Sequence, residues 1–263
     1  MAPARSLHIT VIQPDIIWED RSANLQHYAQ IIDRIGGTKE IVVLPEMFST
    51  GFSMSPERLA ESMSGDTVQW MSDTAKKHRI ILTGSLIIEE NGHYYNRLVW
   101  MQPDGAWSSY DKRHLFGYAD EDRHYTAGTQ KLIVQVNGWR ICPLVCYDLR
   151  FPVWARNVPG SEYDVLLYVA NWPQRRSLAW KTLLQARAIE NQAYCIGVNR
   201  VGEDGKGILY SGGSSAFDPL GELLWQDADS EAVHTIALSR QKLEEARSHF
   251  PFLRDADKFL ITE

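Results

Sequence analysis

Three residues in this chain have the type and position that chemistry requires. Leu44-Pro45-Glu46 closes the short β-branched run Ile41 to Leu44, which places Glu46 at the C-terminal end of a strand. Crevices in α/β sheets open at those ends. Desolvation there raises a carboxyl pKa and makes it a better general base near neutral pH. Lys112 lies in Tyr110-Asp111-Lys112-Arg113-His114-Leu115-Phe116. At a strand end its ammonium could stand beside a developing oxyanion. Cys146 follows the strand-like run Trp139 to Val145 and precedes polar residues. A thiol at such a strand-to-turn junction can project as a nucleophile, with the next backbone N–H aimed at an oxyanion.

Taken singly, each has a plainer reading. Glu46 could be a solvated loop acid or an ion-pair member, Lys112 a surface lysine beside another cation, and Cys146 a buried inert thiol. Spacing alone does not bring 46, 112 and 146 together. Other thiol chemistries fit less well. Cys142 and Cys146 are spaced C-x3-C, not the C-x-x-C of a dithiol. Arg150 falls four residues after Cys146, too near for a C-x5-R phosphate loop. The histidines are too scattered for a zinc site. His78, His93, His114, His124 and His249 read as helix or loop residues, and no spacing singles one out as a base.

The elements that must position these residues alternate along the chain. His8 to Gln13, Ile41 to Leu44, Ile80 to Ile88, Val165 to Ala170, Tyr194 to Val198 and Ser214 to Asp218 read as strands. Asn24 to Ile35, Asp66 to Lys77, Ser177 to Asn191 and Ser239 to Ser248 carry helical periodicity, the first with Asp20 or Ser22 as N-cap. Asn91-Gly92, Pro103-Asp104-Gly105 and Asn137-Gly138 mark turns. Pro143 is awkward inside a central strand and suggests a bulge or an edge. Strands outnumber helices, and hairpins mix with strand–helix units, so an α/β layered fold with a mixed sheet is predicted. No linker or repeat divides the 263 residues, which predicts a single domain over 1–263. With 27 basic and 33 acidic side chains the net charge is −6, which argues against nucleic acid and anionic membrane as partners. Three cysteines cannot all pair, and together with the lack of a signal sequence or apolar span they predict a cytoplasmic protein.

Three blocks occur in order: Leu44-Pro45-Glu46-Met47-Phe48, Tyr110 to Phe116, and Val145-Cys146-Tyr147-Asp148-Leu149-Arg150-Phe151-Pro152. Together they resemble the Glu–Lys–Cys blocks of the nitrilase (carbon–nitrogen hydrolase) superfamily. The likeness continues through Tyr168 to Pro173 and Ala186 to Tyr194. Asp-Lys-Arg-His-Leu-Phe and Ala-Asn-Trp-Pro most resemble the bacterial omega-amidases of that superfamily.

The resemblance implies a four-layer αββα sandwich with two mixed sheets, dimerised, and a small-molecule amide substrate with no metal or organic cofactor. It implies that Glu46 is the base, Cys146 the nucleophile, and Lys112 with the Tyr147 N–H the oxyanion site. Glu121, with Tyr125 and Gly128 in matching places, would be a second functional Glu. Phe116, Asn171 and Trp172 are implied as pocket walls. The implied activity is hydrolysis of the terminal amide of a 2-oxo dicarboxylic acid monoamide, such as 2-oxoglutaramate, with methionine salvage as its setting. The alternatives are another amidase or N-carbamoyl amidohydrolase of the superfamily, a nitrile hydrolase, or a noncatalytic binding protein on the same scaffold. An anionic substrate needs a cation, and Arg113, Arg150, Arg175, Arg176 and Arg187 are the candidates.

Overall fold

In the computed structural model, which describes residues 6–261, local sequence signals set several element ends. Asp20 N-caps the first long helix by accepting from the Ala23 N–H at 3.0 Å. Ser239 caps the last by accepting from the Lys242 N–H at 3.3 Å. Asn91-Gly92 and Asn137-Gly138 all take positive φ, the geometry that matches the twist of a tight hairpin.

In chain order the strands are β1 (Leu7–Gln13), β2 (Ile41–Val43), β3 (Ile81–Glu90), β4 (His93–Met101), β5 (Trp107–Asp111) and β6 (Val134–Val136). They continue as β7 (Trp139–Val145), β8 (Val165–Val169), β9 (Tyr194–Val198), β10 (Val201–Glu203), β11 (Leu209–Phe217), β12 (Leu223–Ala228) and β13 (Ala232–Leu238). The helices are α1 (Arg21–Arg34), α2 (Pro56–Leu59), α3 (Asp66–His78), α4 (Glu121–His124), α5 (Pro152–Ala155), α6 (Ser177–Asn191) and α7 (Arg240–His249).

Among the described residues, one sheet has the order β13-β1-β2-β3-β4-β5, and the other β10-β11-β9-β8-β7-β6 with β12 on β11. Each is mixed. In the first, β1, β2 and β3 are parallel and the remaining pairs antiparallel. In the second, β7, β8 and β9 form the parallel centre. Side-chain alternation then sorts the layers. Ile41 and Val43 of β2 join the large core shared with the second sheet, while Val42 points to the other side and packs with Tyr28 and Ile32 of α1 and Met71 and Ala75 of α3. The second sheet is apolar on both faces, because Leu184 and Ala188 of α6 cover its far side. The order is therefore helices, sheet, sheet, helices, the predicted four-layer αββα sandwich. No helix among the described residues is long and apolar enough to cross a membrane.

One local expectation needs correction, and another is narrowed to one of its alternatives. His93 opens β4 rather than a helix or loop. Pro143 lies within β7 and pairs with Leu167 of β8 without a register shift. The β6 ladder stops at Ile141, so β7 is flanked by β8 alone at Pro143. The proline's missing N–H is tolerated because the strand is locally an edge there, and no bulge is needed.

Candidate active site

Topology brings the predicted residues to one rim. Because β4 is antiparallel to both β3 and β5, β5 runs in the direction of β3 and of the parallel β2. Glu46, just past β2, and Lys112, just past β5, thus emerge at the same end of the first sheet. Cys146 follows β7, and Asn171 follows β8, at the facing end of the second.

The turn after β2 is stitched to β3. The Phe48 N–H donates to Ser85 O at 3.0 Å and the Met47 N–H to Ser85 Oγ at 2.9 Å. This holds Glu46 wholly buried rather than partly desolvated. Lys112 Nζ donates to Glu46 Oε1 at 2.8 Å and to both oxygens of Glu121 at 3.0 and 2.9 Å. The Asn171 N–H occupies Glu46 Oε2 at 2.8 Å, and Asn171 Nδ2 donates to the Glu46 carbonyl at 2.5 Å. The Phe116 N–H donates to Glu121 Oε2 at 2.5 Å. Two glutamate side chains and one lysine side chain, none exposed to solvent, thus form one network. Burial opposes the charge on Lys112, but Glu121 and Glu46 outweigh it and hold its pKa above the ordinary lysine value. Burial raises the Glu121 carboxyl, against the pull of Lys112.

Cys146 has φ of +44° at the strand-to-turn junction, a conformation that costs a non-glycine residue roughly 1–2 kcal/mol. Asp148 holds the bend. Its carboxylate accepts from the Val145 N–H at 3.0 Å, from Tyr110 OH at 2.7 Å, and from the His114 N–H at 3.0 Å. It thereby ties the cysteine turn to the lysine segment. Burial pushes the Cys146 thiol well above its usual range, and the Glu46 charge and hydrogen bond push it further, against the opposing pull of Lys112. These surroundings favour the thiol over the thiolate. Cys142 and Cys195 are free and fully buried. Burial raises both, Cys142 to about 12.

A cavity of about 300 Å³ opens over Cys146 and Lys112. Phe116, Tyr147, Asn171 and Trp172 line it, the first, third and fourth being the residues that the resemblance implies as walls. Of the candidate arginines, Arg150, Arg175 and Arg176 line it, whereas two are corrected away. Arg113 lies over the Trp154 ring and reaches the Gly128 carbonyl. Arg187 is buried, bonding the Leu149 carbonyl and Glu190. Among the described residues, no group of three or more His, Cys, Asp or Glu is placed to hold a metal ion.

Sequence reasoning missed Asn96. Its Nδ2 donates to Glu46 Oε1 at 2.8 Å and to Glu121 Oε1 at 3.1 Å, while its Oδ1 accepts from Ser85 Oγ at 2.8 Å. A polar residue in the strand that ends Leu98-Val99-Trp100-Met101 is the signal that could have found it, since a buried amide must have partners.

Comparison with known proteins places this geometry among relatives. Residues 8–248 match the model of the carbon-nitrogen hydrolase family. The chain is 47% identical over 257 residues to a protein of Escherichia coli (strain K12) named omega-amidase YafV, covering 97% of this chain and 98% of that one. It is 31% identical over 255 residues to the 2-oxoglutaramate amidase of Bacillus subtilis (strain 168), covering 96% and 98%. A solved CN-hydrolase superfamily protein from Xanthomonas campestris, which carries an arsenic adduct in its active site, superposes with a TM-score of 0.95 at 41% identity, covering 98% of this chain and 100% of its own.

Proposed function

The chain belongs to the carbon-nitrogen hydrolase family, and on that premise we propose that it is an omega-amidase. It hydrolyses the terminal amide of a 2-oxo dicarboxylic acid monoamide, such as 2-oxoglutaramate, to the dicarboxylate and ammonia. Kinship with the E. coli and B. subtilis proteins supports the acyl group. One observation supports the chemistry: the Cys146 thiol and the Lys112 ammonium line one small cavity, and Lys112 Nζ donates to the buried Glu46 carboxylate behind them.

The reaction runs through a thioester. Cys146 Sγ attacks the amide carbon while Glu46 takes the thiol proton. Waiting for the attack keeps a buried thiolate from forming in a site that already holds two carboxylates and one ammonium. The oxyanion is stabilised by Lys112 and the Tyr147 N–H. The ammonium has three N–H groups. One reaches Glu46 and one straddles the Glu121 oxygens, leaving the third for the substrate. Protonated Glu46 then gives its proton to the departing ammonia. It next takes a proton from water as the water adds to the thioester, and that proton returns to sulfur. Glu121 is a positioning residue that acts through Lys112. No histidine takes part.

We also propose a homodimer in the cytoplasm. Exposed Val153 on α5 and Leu178 and Ile189 on α6 support the first, and three cysteines without a disulfide support the second.

The test is ammonia release from a panel of 2-oxoglutaramate, glutamine, N-carbamoyl amino acids and simple nitriles. Preference for 2-oxoglutaramate is expected, and preference for a carbamoyl compound or a nitrile would overturn the reading. A trapped acyl adduct is expected on the peptide holding Cys146. An adduct on Cys142 or Cys195, or undiminished turnover in Cys146→Ala, would refute the thioester route.

A further inference from the structure

Three guanidinium groups face the cavity without an acidic partner. Arg150, Arg175 and Arg176 line it, and none makes an ion pair among the described residues. Each lies over an aromatic ring instead: Arg176 over Phe116 at 5.0 Å, Arg150 over Trp172 at 4.9 Å, and Arg175 over Tyr118 at 5.8 Å. The acids that share the cavity wall are already engaged. Asp120 pairs with Arg123 at 3.2 Å, and Asp204 accepts from two loop N–H groups and Tyr210 OH.

The start of α6 adds to this surplus. Arg176 is its N-cap residue and caps nothing through its side chain, and the first turn carries no acid. Helices favour acids at this end, because the free N–H groups make it positive. Arginines placed there, with no acid within ion-pair distance, add positive charge that has no direct partner, and Arg176 holds it half-buried. Burial, and after it the charge of Arg175, works against the charge on Arg176. Ring faces orient a guanidinium but do not neutralise it. A bound anion would.

We propose that Arg176, flanked by Arg150 and Arg175, is the subsite that receives the substrate's free carboxylate and so selects anionic amides over neutral ones. The planar guanidinium can meet a carboxylate with two parallel hydrogen bonds. Phe116 holds it in place for this. A cavity of about 300 Å³ has room for a short acyl chain between this subsite and Cys146. The inference rests on the amidase reading for the carboxylate's identity, but its charge argument does not depend on turnover.

The experiment compares glutaramate with pentanamide, which differ by a carboxylate in place of a methyl group. In Arg176→Met the ratio of kcat/KM for the anionic over the neutral amide should fall by about 10- to 100-fold, the loss expected for a charged hydrogen-bonding partner. The change should lie mainly in KM, with Arg176→Lys recovering part of it. An equal loss on both amides would mark Arg176 as merely structural and overturn the proposal. Glutarate binding is measured in parallel by calorimetry, in Cys146→Ala with and without Arg176→Met. A similar fall in affinity is expected. Absent glutarate binding to Cys146→Ala, or equal binding by both proteins, overturns the subsite. If native enzyme turns over neither amide, the amidase reading fails while the binding comparison still decides the subsite.

Discussion

Replacing Asn96 by Asp tests the buried network at its least replaceable point. The side chain is fully buried, and one amide nitrogen serves both glutamates, at 2.8 and 3.1 Å. Asp keeps the shape but replaces a two-hydrogen donor by a carboxyl. Ionised, it would be a third carboxylate around the Lys112 ammonium. The cluster must therefore take up a proton on folding at neutral pH, whichever oxygen holds it. An unfolded Asp ionises near a pKa of about 3.9. The folded form of the variant binds the extra proton, so its relative stability falls as pH rises above that value and keeps falling until the raised folded pKa is reached. At about 1.4 kcal/mol per pH unit, this term is roughly 1.5 kcal/mol at pH 5 and roughly 4 kcal/mol at pH 7. Urea unfolding of both proteins at pH 5, 6 and 7 isolates it, because the native protein carries every shared titration. The expected stability difference grows by about 2.8 kcal/mol across that interval. A difference that does not change with pH would mean the carboxyl at 96 ionises freely, and the account of Asn96 trapped between two glutamates would be wrong.

Lys112→Met should abolish ammonia release and cost roughly 3–5 kcal/mol in unfolding experiments, since two buried carboxylates lose their cation; a loss below about 1 kcal/mol would contradict the network. Gly128→Ala should lower both melting temperature and kcat. A Cβ there would lie 2.2 Å from the Asp111 carbonyl, and the Gly128 N–H donates to the Lys112 carbonyl at 3.0 Å. Overpacking of this kind costs about 1–3 kcal/mol, and unchanged melting and turnover would show that the lysine segment is not pinned at this point. Sedimentation at several concentrations should give a dimer that weakens when Leu178, 80% exposed on α6, becomes Glu; a persistent monomer in the native protein would refute the assembly.

The site was legible where chemistry coincides with a strand end. Glu46 and Cys146 each follow an apolar or β-branched run, so their types and places could be read one at a time; Lys112 follows the mixed Trp107-Ser108-Ser109-Tyr110-Asp111 segment, and only the ordered blocks joined it to them. Asn96 lies inside a strand, and its significance depends on Ser85 across the hairpin and on Glu46 and Glu121, distant from it in the chain on either side. No local pattern encodes that meeting. Arg113 and Arg187 were as plausible as Arg176 because an arginine's charge says nothing about which way its long side chain turns. The element order was largely visible from alternation and turn residues. The short edge strands β6 and β10 were not, since three residues carry little periodicity. The pairing of β13 with β1 escaped too, as strand register between distant segments has no local signature.

That last pairing governs when the first sheet can be finished. All seven residues of β1 are in register with β13, from Leu7 opposite Leu238 to Gln13 opposite Ala232. A nascent chain emerging from the ribosome can lay β1 beside β2 early, while the other flank of β1 waits for a segment more than two hundred residues downstream. Contacts of such sequence separation form slowly. Until β13 arrives, an alternating Leu7-His8-Ile9-Thr10-Val11 edge offers open hydrogen-bonding groups to any neighbouring strand. Newly made chains should therefore depend on chaperones most acutely just before β13 is synthesised, and substitutions that weaken β13 should appear first as lower yield rather than as altered turnover.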